Sequence, residues 1–271
     1  MTQSYSMAYL TANNLPPLEA ISLASDLGFD KISFRLLPAG PGDTPPPIMT
    51  DDGLFDAVAQ SLRDNGIAMS DAEMIRLNDD TDLDRFHPFL EKCQRLGAKH
   101  VLVAGDDLDR GRITETYARL CELTWDYGLT ADLEFMPWTA IKNIQDARDL
   151  VEVAAHPAAA ILFDCLHFDR SDSTLEEISA IPADMMNYVQ ICDGPIPYDP
   201  AGNEMMTLGR TARLIPGAGG IDLPAIIGRL PKGVPISVEV PNAALVGEIG
   251  VRDLVRRSLE ETQRLIQSDL E

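Results

Sequence analysis

The chain has 271 residues, of which 45% are hydrophobic, and its formal net charge at pH 7 is −21. A nucleic-acid or anionic-membrane partner is not expected, because such partners attract basic patches and the sequence has none. A small anionic substrate is compatible with this charge, since a few local arginines can bind one. No run of about 18 apolar residues is present, so no membrane span is predicted.

The N-terminal segment and the cysteines indicate the compartment. MTQSYSMAYL lacks a basic segment followed by a long apolar one, so no signal peptide is predicted. The cysteines at positions 93, 121, 165 and 192 form no CxxC pair. Reduced, buried thiols in a cytoplasmic protein are the simplest interpretation.

Strand-like and helix-like segments alternate along the chain. The predicted strands are Ser6–Leu10, Lys31–Leu36, Ala68–Glu73, His100–Ala104, Thr130–Phe135, Ala160–Asp164, Asn187–Cys192 and Ile236–Val240. The amphipathic stretches between them include Pro17–Leu27, Leu54–Asn65, Asp82–Leu96, Ile113–Tyr127 and Asn143–Ala154. This order implies parallel strands joined by right-handed crossovers. Eight such units in a chain of this length predict an α/β fold, a (β/α)₈ TIM barrel forming a single domain over residues 1–271.

Two long irregular stretches follow predicted strands. Gly194–Gly220 follows the seventh strand and is rich in proline and glycine, and Pro38–Pro47 follows the second. Long loops inside a domain are usually functional or disordered. The position of Gly194–Gly220 on the catalytic face favours a lid or a substrate-binding loop.

Polar side chains end four consecutive predicted strands. They are Glu134, Asp164, Gln190 and Glu239. The C-terminal ends of parallel barrel strands converge on one face, where catalysis is usually housed. Three carboxylates and an amide meeting there would repel one another without a cation. Oxygen ligands of this kind suit Mn²⁺ or Mg²⁺ better than Zn²⁺.

Short motifs at these strand ends resemble the xylose-isomerase-like barrel superfamily of sugar and sugar-phosphate isomerases, epimerases and dehydratases. The matching segments are DLEF, the D-x-x-H of FDCLH, VQICDGP, VEVPN and GRTARLIPGAG. The resemblance covers essentially the whole chain. It implies a divalent metal, Mn²⁺ or Mg²⁺ with Co²⁺ as a further option. The implied ligands are Glu134, Asp164, Gln190 and Glu239.

One of these implied ligands departs from the commonest pattern. Many members have histidine where this chain has Gln190, and the glutamine form resembles hydroxypyruvate isomerases, inosose dehydratases and some 3-dehydroshikimate dehydratases. Glutamine keeps a neutral ligand but replaces nitrogen by oxygen, which favours hard cations further.

The resemblance also implies catalytic roles for three residues. Glu134 and Glu239 flank the reacting carbon in relatives with epimerase activity, where one takes a proton and the other returns it. His167 is expected to point into the pocket and bind a substrate oxygen rather than the metal.

Five further residues are predicted to bind substrate. Arg210 and Arg213 lie in the long loop, where a guanidinium suits a carboxylate or a phosphate. Many relatives have glutamate or glutamine where this chain has Ala218. The other three predicted residues are Glu73, Arg35 and Trp138. An ion pair between Glu73 and Arg76 is the alternative for Glu73, and core packing is the alternative for Trp138.

Together these features predict a metal-dependent isomerase or epimerase of a small sugar or polyhydroxy keto compound, acting through a metal-stabilised enediolate. A dehydratase of the inosose or 3-dehydroshikimate type shares the first step and is the second hypothesis. A sugar-binding barrel without turnover is the third. Endonucleases of this fold would need more histidines and a basic groove. Relatives are often dimers or tetramers, so a homo-oligomer is compatible with the resemblance.

Overall fold

The computed structural model describes residues 3–12, 15–38, 40 and 42–270. Within them, eight parallel strands pair in chain order, and the eighth pairs with the first to close a barrel. The strands are β1 (Tyr5–Met7), β2 (Lys31–Arg35), β3 (Ala68–Leu77), β4 (His100–Gly105), β5 (Thr130–Glu134), β6 (Ala159–Asp164), β7 (Val189–Ile191) and β8 (Ile236–Val238). The predicted (β/α)₈ barrel is therefore confirmed.

Helices connect the strands and cover the barrel. They are α1 (Pro17–Leu27), α2 (Pro47–Thr50), α3 (Asp52–Asn65), α4 (His87–Leu96), α5 (Arg110–Asp126), α6 (Ile144–Ala154), α7 (Cys165–Arg170), α8 (Leu175–Ser179), α9 (Gly202–Thr211), α10 (Leu223–Ile227), α11 (Ala243–Ile249) and α12 (Val251–Leu270). Short 3₁₀ helices span Tyr9–Ala12, Leu83–Phe86 and Ala183–Met185. None of the helices in the described residues is long and apolar enough to cross a membrane.

The predicted strand ends differ from the structure by up to four residues, and the differences are largest for β1 and β3. β1 stops at Met7 instead of Leu10, because the chain turns into the 3₁₀ helix that begins at Tyr9. β3 continues to Leu77 instead of ending at Glu73, with a register shift against β4 between Ala72 and Ile75. Such an irregularity re-aims side chains in a strand. Arg76, which follows Glu73, therefore belongs to the strand and not to a loop.

The prediction that Gly194–Gly220 is irregular was also wrong, since it contains α9. Only Gly209 of α9 is buried, and the proline and glycine residues that precede and follow the ten-residue helix make the segment resemble a loop. Asp193 and Leu214 form an antiparallel bridge on either side of the helix and close its base. In the second loop, Ala39 and Pro41 lie outside the described residues, and α2 begins at Pro47.

The apolar core lies mainly between the barrel and its helices. A separate buried cluster of Leu102, Leu162 and Tyr188, with Met74 packed against it, joins β3, β4 and β6 to the start of β7. Leu102 and Met74 also line a cavity at the C-terminal end of the barrel. The four cysteines, all in the described part of the chain, are buried free thiols.

Candidate metal and substrate site

The four strand-end residues are buried together at one end of the barrel. Glu134 ends β5, Asp164 ends β6, Gln190 lies within β7 and Glu239 directly follows β8. Asp164 is in register with Gln190 across the β6–β7 pair. The backbone N–H of Glu239 donates to the carbonyl of Ile191, which extends the pairing of β8 with β7 by one step.

A buried arginine bonds two of these carboxylates. Arg213 Nη1 lies 2.5 Å from Asp164 Oδ2, and its Nη2 lies 2.9 Å from Glu239 Oε2. Its Nε donates to the carbonyl of Gly209 at 2.7 Å. The guanidinium is 3% exposed, so these ion pairs are little screened by solvent. Arg213 therefore occupies the interior of the site, deeper than a residue that binds substrate from a loop.

The pKa values of Glu239 and Asp164 are shifted in opposite directions by this environment. Burial raises the pKa of Glu239 well above its usual range, and nearby Glu73, Asp164 and Glu134 add to the rise, although Arg213 opposes it. Burial also acts to raise the pKa of Asp164, but Arg213 and His167 outweigh it, and the pKa lies below its ordinary value. Asp164 thus favours its charged form and Glu239 its protonated form.

The D-x-x-H motif has a structural basis in helix capping. Asp164 is the N-cap of α7, and its Oδ1 accepts the backbone N–H of His167 at 2.9 Å. His167 Nε2 lies 3.3 Å from Glu134 Oε1, and its ring meets that of Trp138 edge-on at 4.8 Å between centroids. Glu134, Asp164 and His167 each offer one possible metal-binding atom, and these three atoms lie within 4.8 Å of one another. His167 therefore lies against the carboxylates themselves.

The donor set fits a divalent cation. Gln190 Nε2 donates to Glu239 Oε1 at 3.1 Å, whereas the buried Oε1 of Gln190 has no hydrogen-bond partner among the described residues. A buried amide oxygen without a partner is costly unless something binds it. Glu134, Asp164 and His167 form a group with one donor atom each within 4.8 Å, whereas Glu239 lies outside that group and is bonded by Gln190 and Arg213. Oxygen donors of the carboxylate and amide type are those of Mn²⁺ and Mg²⁺ sites.

A cavity of about 200 Å³ opens beside these residues. At about 30 Å³ per water molecule, this volume matches roughly seven waters, which suits a small substrate. Its apolar lining includes Leu10, Met136 and Trp138. Trp138 also packs against Gly209 of α9, where an added Cβ would lie 3.0 Å from the indole. The ring thus forms a wall that α9 supports.

The predicted substrate-binding residues line this cavity. They are Arg35, Glu73, Trp138, Arg210 and Arg213. The alternative pairing of Glu73 with Arg76 was wrong, because Glu73 Oε2 accepts from Arg35 Nη2 at 2.8 Å. Arg76 lines the same cavity and forms two hydrogen bonds with Asp106, at 2.7 and 3.1 Å. Burial, and Glu134 among its neighbours, raise the pKa of Glu73 although Arg35 opposes the shift.

Asp193 organises the loop that carries Arg213, and the sequence interpretation missed it. Its carboxylate accepts four backbone N–H groups, those of Gly194, Gly217, Gly219 and Ile221, at 2.8 to 3.1 Å. An added Cβ at Gly219 would lie 2.3 Å from Asp193 Oδ1. The available signal was an aspartate directly after β7, followed by glycines that bring backbone close to it.

One known protein family matches most of the chain. A family model described as xylose isomerase-like TIM barrel matches residues 21–265. The chain belongs to this family. Membership agrees with the closed parallel barrel, and it confirms the resemblance noted in the sequence.

Two curated relatives are enzymes with different reactions. The chain is 27% identical over 263 residues to the 3-dehydroshikimate dehydratase of Pseudomonas putida, an alignment that covers 89% of this chain and 38% of that protein. It is 24% identical over 247 residues to the inosose isomerase of Bacillus velezensis, covering 82% and 83% respectively. The chain therefore spans well under half of the first relative and most of the second.

A solved structure shows the same fold. The IolI protein, described with a bound zinc atom, superposes with a TM-score of 0.81 over 98% of both chains at 19% identity. This likeness supports the barrel architecture, and the zinc belongs to that protein.

Proposed function

We propose that this protein is a divalent-metal-dependent isomerase or epimerase of a small polyhydroxy carbonyl compound. The observation that carries the proposal is the buried group of Glu134, Asp164 and His167, with donor atoms within 4.8 Å of one another, together with the unpartnered oxygen of Gln190 at the same end of the barrel. The enzymatic nature of the two curated relatives supports turnover.

Glu134, Asp164, Gln190 and Glu239 would hold the cation. When bound, a divalent cation polarises a carbonyl and makes the adjacent C–H bond more acidic. All four side chains offer oxygen, which favours Mn²⁺ or Mg²⁺. Arg213 keeps Asp164 and Glu239 oriented through its two ion pairs.

Glu134 and Glu239 are assigned the proton transfers. They end different strands, β5 and the position after β8, so they approach the cavity from different sides. A bound cation would keep Glu239 deprotonated, so that it could accept a proton and later return one. His167, fixed by the cap of α7 and by Trp138, is placed to hydrogen-bond a substrate oxygen. Proton return to the neighbouring carbon gives isomerisation, and return to the opposite face gives epimerisation.

A dehydratase is the second candidate. The relative from Pseudomonas putida carries that name, and its alignment covers 89% of this chain. Dehydration begins with the same proton removal and ends with loss of a β-hydroxyl, which needs an acid near the leaving group. Glu239 and His167 are the candidates for that acid.

Product analysis in D₂O tests the proposal and separates the two reactions. Mn²⁺-loaded protein is incubated with ketoses, an inosose and 3-dehydroshikimate, and the products are followed by NMR and mass spectrometry. Deuterium at the carbon next to the carbonyl, with a rearranged product of unchanged covalent composition, is expected. Loss of water with an α,β-unsaturated product would identify a dehydratase instead.

Matched variants show whether the site is responsible. Glu134→Gln and Glu239→Gln are expected to lower turnover by about 10²–10⁴-fold, the usual contribution of a positioned acid or base. Glu248→Gln, an exposed glutamate on α11, should leave turnover unchanged. No exchange and no product with any of these compounds, from folded Mn²⁺-loaded protein, would contradict the proposal and favour a sugar-binding barrel.

A further inference from the structure

Besides Arg213, three arginines line the cavity that the substrate would enter. Arg35 comes from β2, Arg76 from β3 and Arg210 from the last turn of α9. The chain as a whole is strongly acidic, with 43 acidic and 22 basic residues. The same lining includes Glu73, Glu134 and Glu239, so the attraction for an anion depends on which guanidinium is left unbalanced.

These arginines differ in how far their charge is already balanced. Arg35 pairs with Glu73 at 2.8 Å, and Arg76 pairs with Asp106 at 2.7 Å. Arg210 has no hydrogen bond or ion pair with any described residue, and it is exposed at the cavity. Burial, followed by the nearby Arg76 and Arg35, lowers the pKa of Arg210. Its charge is thus destabilised by its surroundings and available to a ligand.

Arg35 holds a further unused donor. Its Nε is buried and has no hydrogen-bond partner among the described residues. The guanidinium also lies over the ring of Tyr9, with 5.0 Å between Cζ and the ring centroid. Stacking of this kind fixes the plane of a guanidinium while leaving its edge free for an acceptor.

The inner end of the cavity, beside Glu134, Asp164 and Glu239, attracts an anionic group less strongly. Arg213 is the arginine there, and both of its Nη atoms are bonded to carboxylates. A bound divalent cation would keep Glu239 deprotonated, and the cation together with Arg213 would then balance the three negative charges of Glu134, Asp164 and Glu239. The inner end is then close to neutral, and the excess positive charge lies on Arg210.

We propose that Arg210, flanked by Arg35 and Arg76, binds an anionic group of the substrate, a carboxylate or a phosphate. This inference rests on the proposed function for the other end of the substrate, a polyhydroxy carbonyl group held at the carboxylates. It makes the substrate a bifunctional molecule, with its acid at the arginines and its carbonyl at the strand ends. Guanidinium groups bind both anions through paired hydrogen bonds.

Binding of three unreactive six-carbon probes tests this subsite. Glucitol, gluconate and glucitol 6-phosphate share a polyol chain and differ in their anionic group. Calorimetric titration of Mn²⁺-loaded protein should show at least one anionic probe binding about tenfold or more tighter than glucitol, as charged hydrogen bonds predict. Preference for gluconate indicates a carboxylate subsite, and preference for glucitol 6-phosphate indicates a phosphate subsite.

Substitution of Arg210 locates the preference. Arg210→Gln should lose most of it while changing glucitol affinity by less than about twofold, and Arg210→Lys should keep part of it. Arg119→Gln, an exposed arginine on α5, makes the same charge change outside the cavity and should leave the preference intact. A preference that survives Arg210→Gln would place the anion on the metal and overturn the proposal.

Equal binding of all three probes, or failure of both anions to bind at millimolar concentration, would also overturn it. The probes carry no carbonyl, so this result does not depend on catalysis. Failure of the proposed function would appear separately, as absence of product from the Mn²⁺-loaded enzyme.

Discussion

At the scale of single residues, the site joins groups that are costly to bury separately. Arg213, Asp164 and Glu239 form a buried network in which each carboxylate receives one guanidinium nitrogen. Removal of one member of such a network leaves an uncompensated charge, whereas the intact network is held in one geometry. The network therefore fixes two of the four proposed ligands in position.

Asp71 is a second buried acid on the same face of β3 as Glu73, two residues before it. Its Oδ1 has no hydrogen-bond partner among the described residues. Burial, followed by the charge of Glu73, raises the pKa of Asp71 well above its usual range. The folded protein thus retains a proton at this position over a range of pH in which the unfolded chain, with a pKa near 3.9, has lost it.

The Asp71→Asn variant should therefore gain stability relative to the wild type as the pH rises. Below the unfolded pKa both states are protonated, and above it the wild type loses stability with pH by up to about 1.4 kcal/mol per unit. Urea unfolding of chelator-treated protein at pH 5 and pH 8 measures the difference. Asp80→Asn, at an exposed position, is the control. An equal difference at both pH values for Asp71→Asn would contradict the raised pKa.

At the scale of elements, the segment after β7 depends on one carboxylate. Asp193 accepts three backbone N–H groups of the loop that leads from Arg213 to α10, and also the N–H of Gly194, which precedes α9. Gly194 and Ile221 are buried, so their N–H groups would lack an acceptor if the carboxylate were lost, whereas Gly217 and Gly219 are exposed. Stability of the loop and position of Arg213 are thus linked.

Asp193→Asn should destabilise the protein by about 2–4 kcal/mol, because the amide NH₂ replaces an oxygen that accepts two backbone N–H groups. Asp199→Asn, an exposed aspartate between β7 and α9, should change the free energy of unfolding by less than about 1 kcal/mol. Urea unfolding curves of both variants provide the measurement. A similar small effect for both would show that the four hydrogen bonds contribute little to stability.

The four site positions at strand ends could be predicted, because each follows an apolar run with one polar residue, as in AILFD before α7. The length of β3 could not be predicted, because Glu73 and Arg76 near its end resemble loop residues in the sequence. In the structure they belong to the strand and line the cavity. The helix α9 was not predicted either, because proline and glycine residues surround its ten residues and resemble a loop. The ion-pair partners of Arg213 and the hydrogen-bond partner Gly219 of Asp193 lie about 20 to 50 positions away in the sequence. Only the closed barrel brings these residues together.

At the scale of the whole molecule, the barrel explains why the site could be located before its substrate. Repetition of strand and helix determined which residues share one end, and the four strand-end residues do lie there, buried. The cavity mouth is formed by side chains of β2, β3 and α9, whose contacts no short motif encodes. Its three arginines are the feature from which a substrate class can be inferred.

A metal titration tests the central claim most directly. Chelator-treated wild type and Glu239→Gln are titrated with Mn²⁺, Mg²⁺, Co²⁺ and Zn²⁺ while the midpoint of thermal unfolding is followed. The variant should fold, because glutamine resembles the protonated form that the raised pKa of Glu239 favours. Glu248→Gln provides a matched exposed control.

For the wild type, Mn²⁺ at about a hundredfold excess over Kd should add about 2.7 kcal/mol, or roughly 5–10 °C for a chain of this size. The rise should persist in Glu248→Gln and be lost in Glu239→Gln. No rise with any of the four metals, or an equal rise in Glu239→Gln, would contradict a metal site at these strand ends.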